Sequence, residues 1–240
     1  MSGTVERITS GECIQKILEM FTPVSVLSEK NGCRVLRLRH RQTNRDLVLR
    51  SFPKAVEAYE ILCGIHCENL PMIYDVIATD DGQIVLEEYI DGLTVAQVLE
   101  TGTYRPRGAK KVMAGVCNGL TVLHDRGIIH RDVKPENVVI DTRGRVVLID
   151  LNASRIIGPS SKDTVIMGTV GYASPEQLGL SQSDARTDLY AAGVLLNVML
   201  TGKHPTQGYA KGHAGAVVRK CTALNPEDRY QSARKLYHAL

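Results

Sequence analysis

The sequence has no apolar run long enough to cross a bilayer. The longest, Ala191–Leu200, spans ten residues and is interrupted by Asn197, whereas a helical span needs about 20. It reads as a buried helix. Met1–Ser10 lacks the apolar stretch of a secretory leader. Net charge is small, +3 over 240 residues, which is too little to point to a nucleic-acid partner. Internal repeats and low-complexity tracts are also missing. Cysteine occurs six times, at Cys13, Cys33, Cys63, Cys67, Cys117 and Cys221, mostly inside apolar periodic segments. In a chain of this length such an even count does not make a disulfide framework. Cys63, His66 and Cys67 lie close in sequence, but no second ligand pair stands near them, which argues against a metal site. These absences lead to the expectation of a cytoplasmic protein with reduced thiols, no membrane span and no nucleic-acid partner.

Apolar residues make up 43% of the chain. At this length that is enough for one large core or for two smaller lobes sharing a cleft. Ser10 is placed to cap a short helix with Cys13, Ile14, Ile17 and Leu18 on one face, which Pro23 ends. Strands are then expected at Val24–Glu29 and Gly32–His40, joined at Asn31-Gly32, a strong tight-hairpin signal. Asp46–Phe52 is a third strand, Ala55–Ile65 a short helix, and Met72–Ala78 and Gln83–Tyr89 two more strands. The result is a five-stranded antiparallel sheet with one inserted helix. Beyond Asp91-Gly92 the pattern turns helical, with helices at Thr94–Glu100 and Gly108–Arg126. The second carries Val112, Val116, Leu120 and Leu123 on one stripe. Short strands are expected at Val138–Ile140 and Val146–Ile149, an irregular stretch over Asp150–Glu176, and helices at Asp184–Leu200 and Ser232–Ala239. A small sheet lobe before a larger helical lobe is an α+β arrangement.

The segment His130-Arg131-Asp132-Val133-Lys134-Pro135-Glu136-Asn137 joins a helix to a short strand, and Asp150 follows Asn137 by thirteen residues. Phosphoryl transfer from a nucleotide needs a divalent cation held by oxygen ligands, a group that orients the attacking hydroxyl, and positive charge near the moving phosphoryl. Asp132 can accept the hydroxyl proton, Asn137 and Asp150 can hold the metal, and Lys134 can lie along the phosphate. A lone Asp at a strand end is most often a cap or turn residue. Eight matching positions followed by a correctly spaced Asp are another matter. On these residues the sequence resembles the protein kinase superfamily, serine/threonine type, from about Val24 to Leu240.

The resemblance implies a two-lobed kinase fold, with residues 1–87 as first lobe, 88–92 as hinge and 93–240 as second lobe of one domain. It implies ATP and Mg²⁺, with Mn²⁺ as an alternative ion, and a protein substrate. Asp132, Lys134, Asn137 and Arg131 would be catalytic, with Asn137 and Asp150 on the metal. Val35, Val48, Arg50, Glu57, Glu88, Ile90 and Val139 would surround the nucleotide. Gly168–Glu176 is similar to the end of a kinase activation segment, in which Thr164 would be a candidate phosphorylation position. Glu176 would pair with Arg229, and Asp188 would brace the catalytic loop.

The first lobe departs from the family. No glycine stands at the three loop positions, which fall on Ser28, Lys30 and Cys33 when Val35 takes the final valine. Leu47-Val48-Leu49-Arg50 replaces Val-Ala-Ile-Lys, so that Arg50 would face Glu57. The swap is not conservative at a phosphate site, and lysine is expected to serve at least as well at position 50. Glu87 falls at the gatekeeper position, normally less polar. Asp150-Leu151-Asn152 replaces Asp-Phe-Gly, with Asn152 tolerated as a left-handed residue. Between Lys203 and Arg229 the helix that helps bind protein substrates is expected to be reduced or missing. Arg34, Arg37, Arg39, Arg41, Arg45 and Arg50 make the lobe basic; Arg37 would reach the cleft side, or the arginines would form a solvated face. Two readings stand: an active divergent serine/threonine kinase, and a pseudokinase acting as a binding or regulatory module, with a regulatory protein partner. A small-molecule phosphotransferase is the third.

Overall fold

The computed structural model describes residues 9–157, 171–178 and 183–240. They fall into two compact units: one holds the residues up to His66 together with Pro71–Tyr89, the other Cys67–Leu70 with Ile90–Leu240.

The first unit begins with helix α1 (Ser10–Met20). Thr9, not Ser10, is its cap: the Thr9 hydroxyl accepts from the Glu12 backbone while the Glu12 side chain accepts from that of Thr9. This reciprocal box needs a hydroxyl three residues before a Glu, and only Thr9 has that spacing. Pro23 does not end the helix. Strand β1 already starts at Phe21 (Phe21–Lys30), and Pro23 lies within it at a register shift against β2 (Cys33–His40). An edge strand with a bulge tolerates the missing donor. Strands β3 (Asp46–Phe52), β4 (Ile73–Thr79) and β5 (Gly82–Glu88) complete a sheet of order β1-β2-β3-β5-β4, all neighbours antiparallel. Helix α2 is only Glu57–Leu62, shorter than the expected Ala55–Ile65.

Strand alternation divides the side chains of this sheet. Leu36, Leu38, Leu49 and Ile84 form a core with Cys13, Ile17 and Phe21, so α1 covers one face. Residues directly opposite across a ladder share a face. The pairs Val35↔Arg50, Arg37↔Val48, Val48↔Glu87 and Arg50↔Val85 therefore put these residues on the other face.

The second unit contains β6 (Gly92–Thr94), α3 (Val95–Glu100), α4 (Pro106–His124), β7 (Ile128–Ile129), β8 (Val138–Asp141), β9 (Val146–Leu148) and β10 (Arg155–Ile156), then α5 (Ala185–Thr201), α6 (Gly212–Cys221) and α7 (Ala233–His238). The α4 stripe Val112, Val116, Leu120 and Leu123 is buried as expected. Helix α5 is buried nearly all round, capped by Asp184 and ended by Gly202 at φ 69°. Asn197, the polar residue within its apolar run Ala191–Leu200, is fully buried and pins the following segment. Its amide donates to the carbonyls of Lys203 and Gly208, both at 2.9 Å, and its oxygen accepts from Ala210 N–H.

Several elements were not expected. Strand β6 pairs with β8, and β10, inside the stretch read as irregular, pairs with β7. Between Lys203 and Arg229 there are two 3-10 turns, Pro205–Gln207 and Pro226–Asp228, with the ten-residue α6 between them. Cys67–Leu70 belongs with the second unit because Asn69 is hydrogen-bonded into β9: its amide donates to Val146 O at 2.7 Å, and its carbonyl accepts from Leu148 N–H. No helix among the described residues is long and apolar enough to cross a membrane.

Candidate active site

The catalytic-loop residues lie between β7 and the 3-10 turn Pro135–Asn137. Asp188, fully buried on α5, braces them as expected. Its Oδ2 accepts from the backbone N–H of His130 at 2.9 Å, and its Oδ1 accepts from that of Arg131 at 2.7 Å. Such a brace is needed because Arg131 sits at φ 67°, a left-handed conformation that costs free energy for a residue with a Cβ. The carbonyl of Arg131 in turn accepts from Gln177 Nε2 at 2.9 Å. Sequence reasoning missed Gln177, and also His124, whose Nε2 lies 2.8 Å from Asp188 Oδ2.

His130 is a structural member of the loop. Asp132 N–H donates to its Nδ1 at 3.3 Å, so the ring proton sits on Nε2, which faces Ile149 O at 3.1 Å. Asp132 Oδ2 accepts from Lys134 Nζ at 2.7 Å and from Asn137 Nδ2 at 2.8 Å. Asn137 Nδ2 also donates to the Asp132 carbonyl at 2.9 Å. Three of the expected catalytic residues thus meet at one carboxylate, which remains partly open to solvent.

Asp150 follows β9 at φ 71°, and its Oδ1 accepts from Asn152 N–H at 3.3 Å. This corrects one expectation: the left-handed residue of the trio is Asp150, and Asn152 has no positive φ among the described residues. Leu151 is buried, as its packing role requires. Asn137 turns both amide hydrogens toward Asp132, which leaves its Oδ1 without a hydrogen bond among the described residues. An amide oxygen and a carboxylate are the hard oxygen donors that Mg²⁺ takes, so this donor set fits the ion. Val139, on β8, is buried and pairs with Val147 and Thr94. Ile90 is half-buried just before β6.

In the first unit, Val35, Val48 and Arg50 are buried on the sheet face away from α1. The expected Arg50–Glu57 pair does not form. Glu57 opens α2, is exposed, and makes no ion pair among the described residues. Arg50 Nε instead donates to Glu87 Oε1 at 2.6 Å, with both side chains buried. Glu88 Oε2 accepts from Met72 N–H at 3.2 Å. Arg37 is neither a bare solvated side chain nor uncommitted: its guanidinium binds Asp46 and lies 4.1 Å from the centre of the Tyr89 ring. Arg39 and Arg37 together hold the Asp46 carboxyl down at about 2. The hairpin β1–β2 closes in two residues, Asn31 at φ 53° and Gly32 at φ 76°. Two positive φ values in a two-residue loop make a tight turn, with no glycine-rich loop around it.

Glu176 and Arg229 form the expected pair, at 2.6 and 2.9 Å. Gly168, Thr169 and Val170 of the activation-segment motif, and Thr164, lie outside the described residues.

Comparison with known proteins agrees with this geometry. The family model described as protein kinase domain matches residues 32–238. Serine/threonine-protein kinase PknB of Mycobacterium tuberculosis is 35% identical over 203 residues, covering 70% of this chain and 32% of that protein. Serine/threonine-protein kinase PknB of Mycolicibacterium smegmatis is 33% identical over 203 residues, with the same coverage of 70% and 32%. Serine/threonine-protein kinase D of Synechocystis is 29% identical over 222 residues, covering 82% of this chain and 43% of that protein. The chain therefore spans about a third of the length of the mycobacterial relatives. A sheet unit and a helical unit, a braced His-Arg-Asp loop with Asn137 on its aspartate, and a family match over most of the length lead to one assignment: this chain belongs to the protein kinase family and has its two-lobed α+β fold.

Proposed function

We propose that the chain is an ATP-dependent serine/threonine protein kinase, a transferase that moves the γ-phosphoryl group to a protein hydroxyl. One observation carries the reading: Asp132, Lys134 and Asn137 converge on one partly exposed carboxylate. Asp132 accepts the proton of the attacking hydroxyl. Lys134, 2.7 Å away, offsets charge on the phosphoryl as it moves. Asn137 fixes the Asp132 carboxylate in place, and Arg131 shapes the loop through its left-handed backbone. Asn137 and Asp150 would hold Mg²⁺ or Mn²⁺, which when bound neutralises phosphate charge. By the family resemblance, Val35, Val48, Glu88, Ile90 and Val139 are the candidate residues for the nucleotide's base and ribose, and Arg50 is the candidate for its phosphates.

Residues 1–240 are read as one kinase domain, with the first lobe to residue 87, a hinge at 88–92 and the second lobe beyond, working in the cytoplasm. A regulatory protein partner belongs to the same reading. A pseudokinase is the alternative, and the absent glycine-rich loop is its best support. The relatives, all named as serine/threonine kinases, support the catalytic reading. The test is transfer of labelled phosphate from ATP to a mixed protein substrate, with Mg²⁺ and with Mn²⁺. The Asp132→Asn variant is expected to lose about 10²–10⁴-fold in rate, the usual worth of a positioned base, with an unchanged melting temperature. Equal rates in the two forms would remove Asp132 from the mechanism. No transfer by either form, with no thermal shift on adding ATP and Mg²⁺, would favour the pseudokinase.

A further inference from the structure

Arg50 and Glu87 are the two charged side chains most deeply buried on the sheet face opposite α1, 6% and 3% exposed. They do not face each other directly. Arg50 stands across from Val85 and Glu87 across from Val48, so the pair is diagonal between β3 and β5, a separation that long side chains can bridge. Bridging puts Arg50 Nε 2.6 Å from Glu87 Oε1. The acids of α2 are engaged elsewhere or exposed: Glu57 is in solvent, and Glu60 accepts from the Gln83 amide at 3.1 Å.

We propose that Glu87 is the positioning residue for Arg50, in the part the family resemblance gave to Glu57. The inference rests on the ATP reading above. Each departure then accounts for the other. A carboxylate at position 87 would be costly if buried alone, and a guanidinium at position 50 would be equally so. Together they satisfy each other. A guanidinium also has five N–H donors in a fixed fork, so one group can serve a carboxylate and a phosphate together. An ammonium on a lysine chain reaches as far as Arg50 Nε does, but it lacks the fork that lets one group hold a carboxylate and a phosphate at fixed angles. The partner sits on a central strand rather than on a six-residue helix, so the position of Arg50 is set by strand register and does not wait on the placement of α2.

The test compares the parent chain with Glu57→Ala, Glu87→Ala, Glu87→Gln, Arg50→Lys and the double variant Arg50→Met/Glu87→Met. Readouts are KM for ATP, kcat, melting temperature, and the ratio of ATP to adenosine affinity. Glu57→Ala is expected to change each kinetic constant by less than about twofold, since an exposed side chain without an ion pair contributes little. Glu87→Ala is expected to lose on the order of 10²-fold in kcat/KM, as a misplacement of about 1 Å can cost. Glu87→Gln, which keeps an oxygen for Arg50 Nε–H, should retain more. Arg50→Lys should fall with Glu87→Ala, reversing the expectation from sequence. Should single variants unfold, the double variant still decides: it removes both charges at similar volume and should melt near the parent, yet lose its preference for ATP over adenosine. A large loss in Glu57→Ala, with ATP preference intact in the Glu87 variants and in the double variant, would overturn the assignment. Failure of the ATP reading itself would appear separately, as a parent chain that binds no nucleotide.

Discussion

Arg229 lies bidentate on Glu176, 53 residues earlier in the chain, with its Nε and terminal nitrogens also donating to the carbonyls of Ala223, Leu224 and Arg186. Thr187 Oγ donates to the same Glu176 oxygen at 3.0 Å. The guanidinium thus ties the end of the activation segment to α5 and to the turn before α7. Removing either partner leaves the other charge buried, so Glu176→Ala and Arg229→Ala should each destabilise by about 3–5 kcal/mol. A double-mutant cycle by chemical denaturation measures the coupling, and a coupling near zero would refute the pairing as an energetic unit.

The same pair sets an acid limit. Burial pushes the Glu176 carboxyl up, but hydrogen bonds from Arg229 and the backbone, the Arg229 charge and the Thr187 hydroxyl outweigh it, and the group ends below its ordinary value. Its folded pKa is then lower than its unfolded one, about 4.3. Its stabilising contribution is complete above pH 4.3 or so and is lost as pH falls through the folded value. Melting temperature should decline below about pH 4, and the decline should be shallower in Glu176→Gln. Matching slopes in parent and variant would place the acid sensitivity in other carboxylates.

Asp150→Asn isolates the charge of the proposed metal ligand. Asparagine tolerates the left-handed backbone found here, φ 71°, and can still accept from Asn152 N–H. The variant should therefore melt close to the parent while its nucleotide affinity no longer rises with Mg²⁺. Calorimetry with and without the ion measures this. Equal losses in both conditions would count against the metal role.

Gly193 on α5 is fixed by contact with α6. A Cβ there would lie 2.3 Å from the Cβ of Cys221, so the helices approach at the one residue without a side chain. Gly193→Ala should destabilise by about 1–3 kcal/mol, the range for overpacking a filled core, although alanine is the better helix former. A variant as stable as the parent by urea titration would mean that the helix pair separates without strain.

Much of this was readable from the sequence, for reasons that also explain the rest. The catalytic loop is contiguous, so its chemistry appears as a string. The sheet shows through period-two alternation, and the Asn31-Gly32 turn has few other uses. The partner of Arg50 was misread because alternation gives the face of a side chain but not its diagonal neighbour, which depends on register between β3 and β5. Helix α6 was missed because Gly212 and Gly215 lower its propensity. Gly215 is nonetheless required, since a Cβ there would fall 1.9 Å from Ala210 O. Cys67–Leu70 falls between the expected helix Ala55–Ile65 and the expected strand Met72–Ala78 and carries no pattern of its own. Its place in the second unit rests on Asn69 reaching β9, a long-range bond with no local signal.

The brace on the catalytic loop runs from a helix of the second unit to backbone amides of the same unit, His130 and Arg131, through the single carboxylate of Asp188. None of its atoms belongs to the sheet unit. The shape of the loop is thereby settled inside one unit, and both amides depend on a buried helix carboxylate 57 and 58 residues away in sequence.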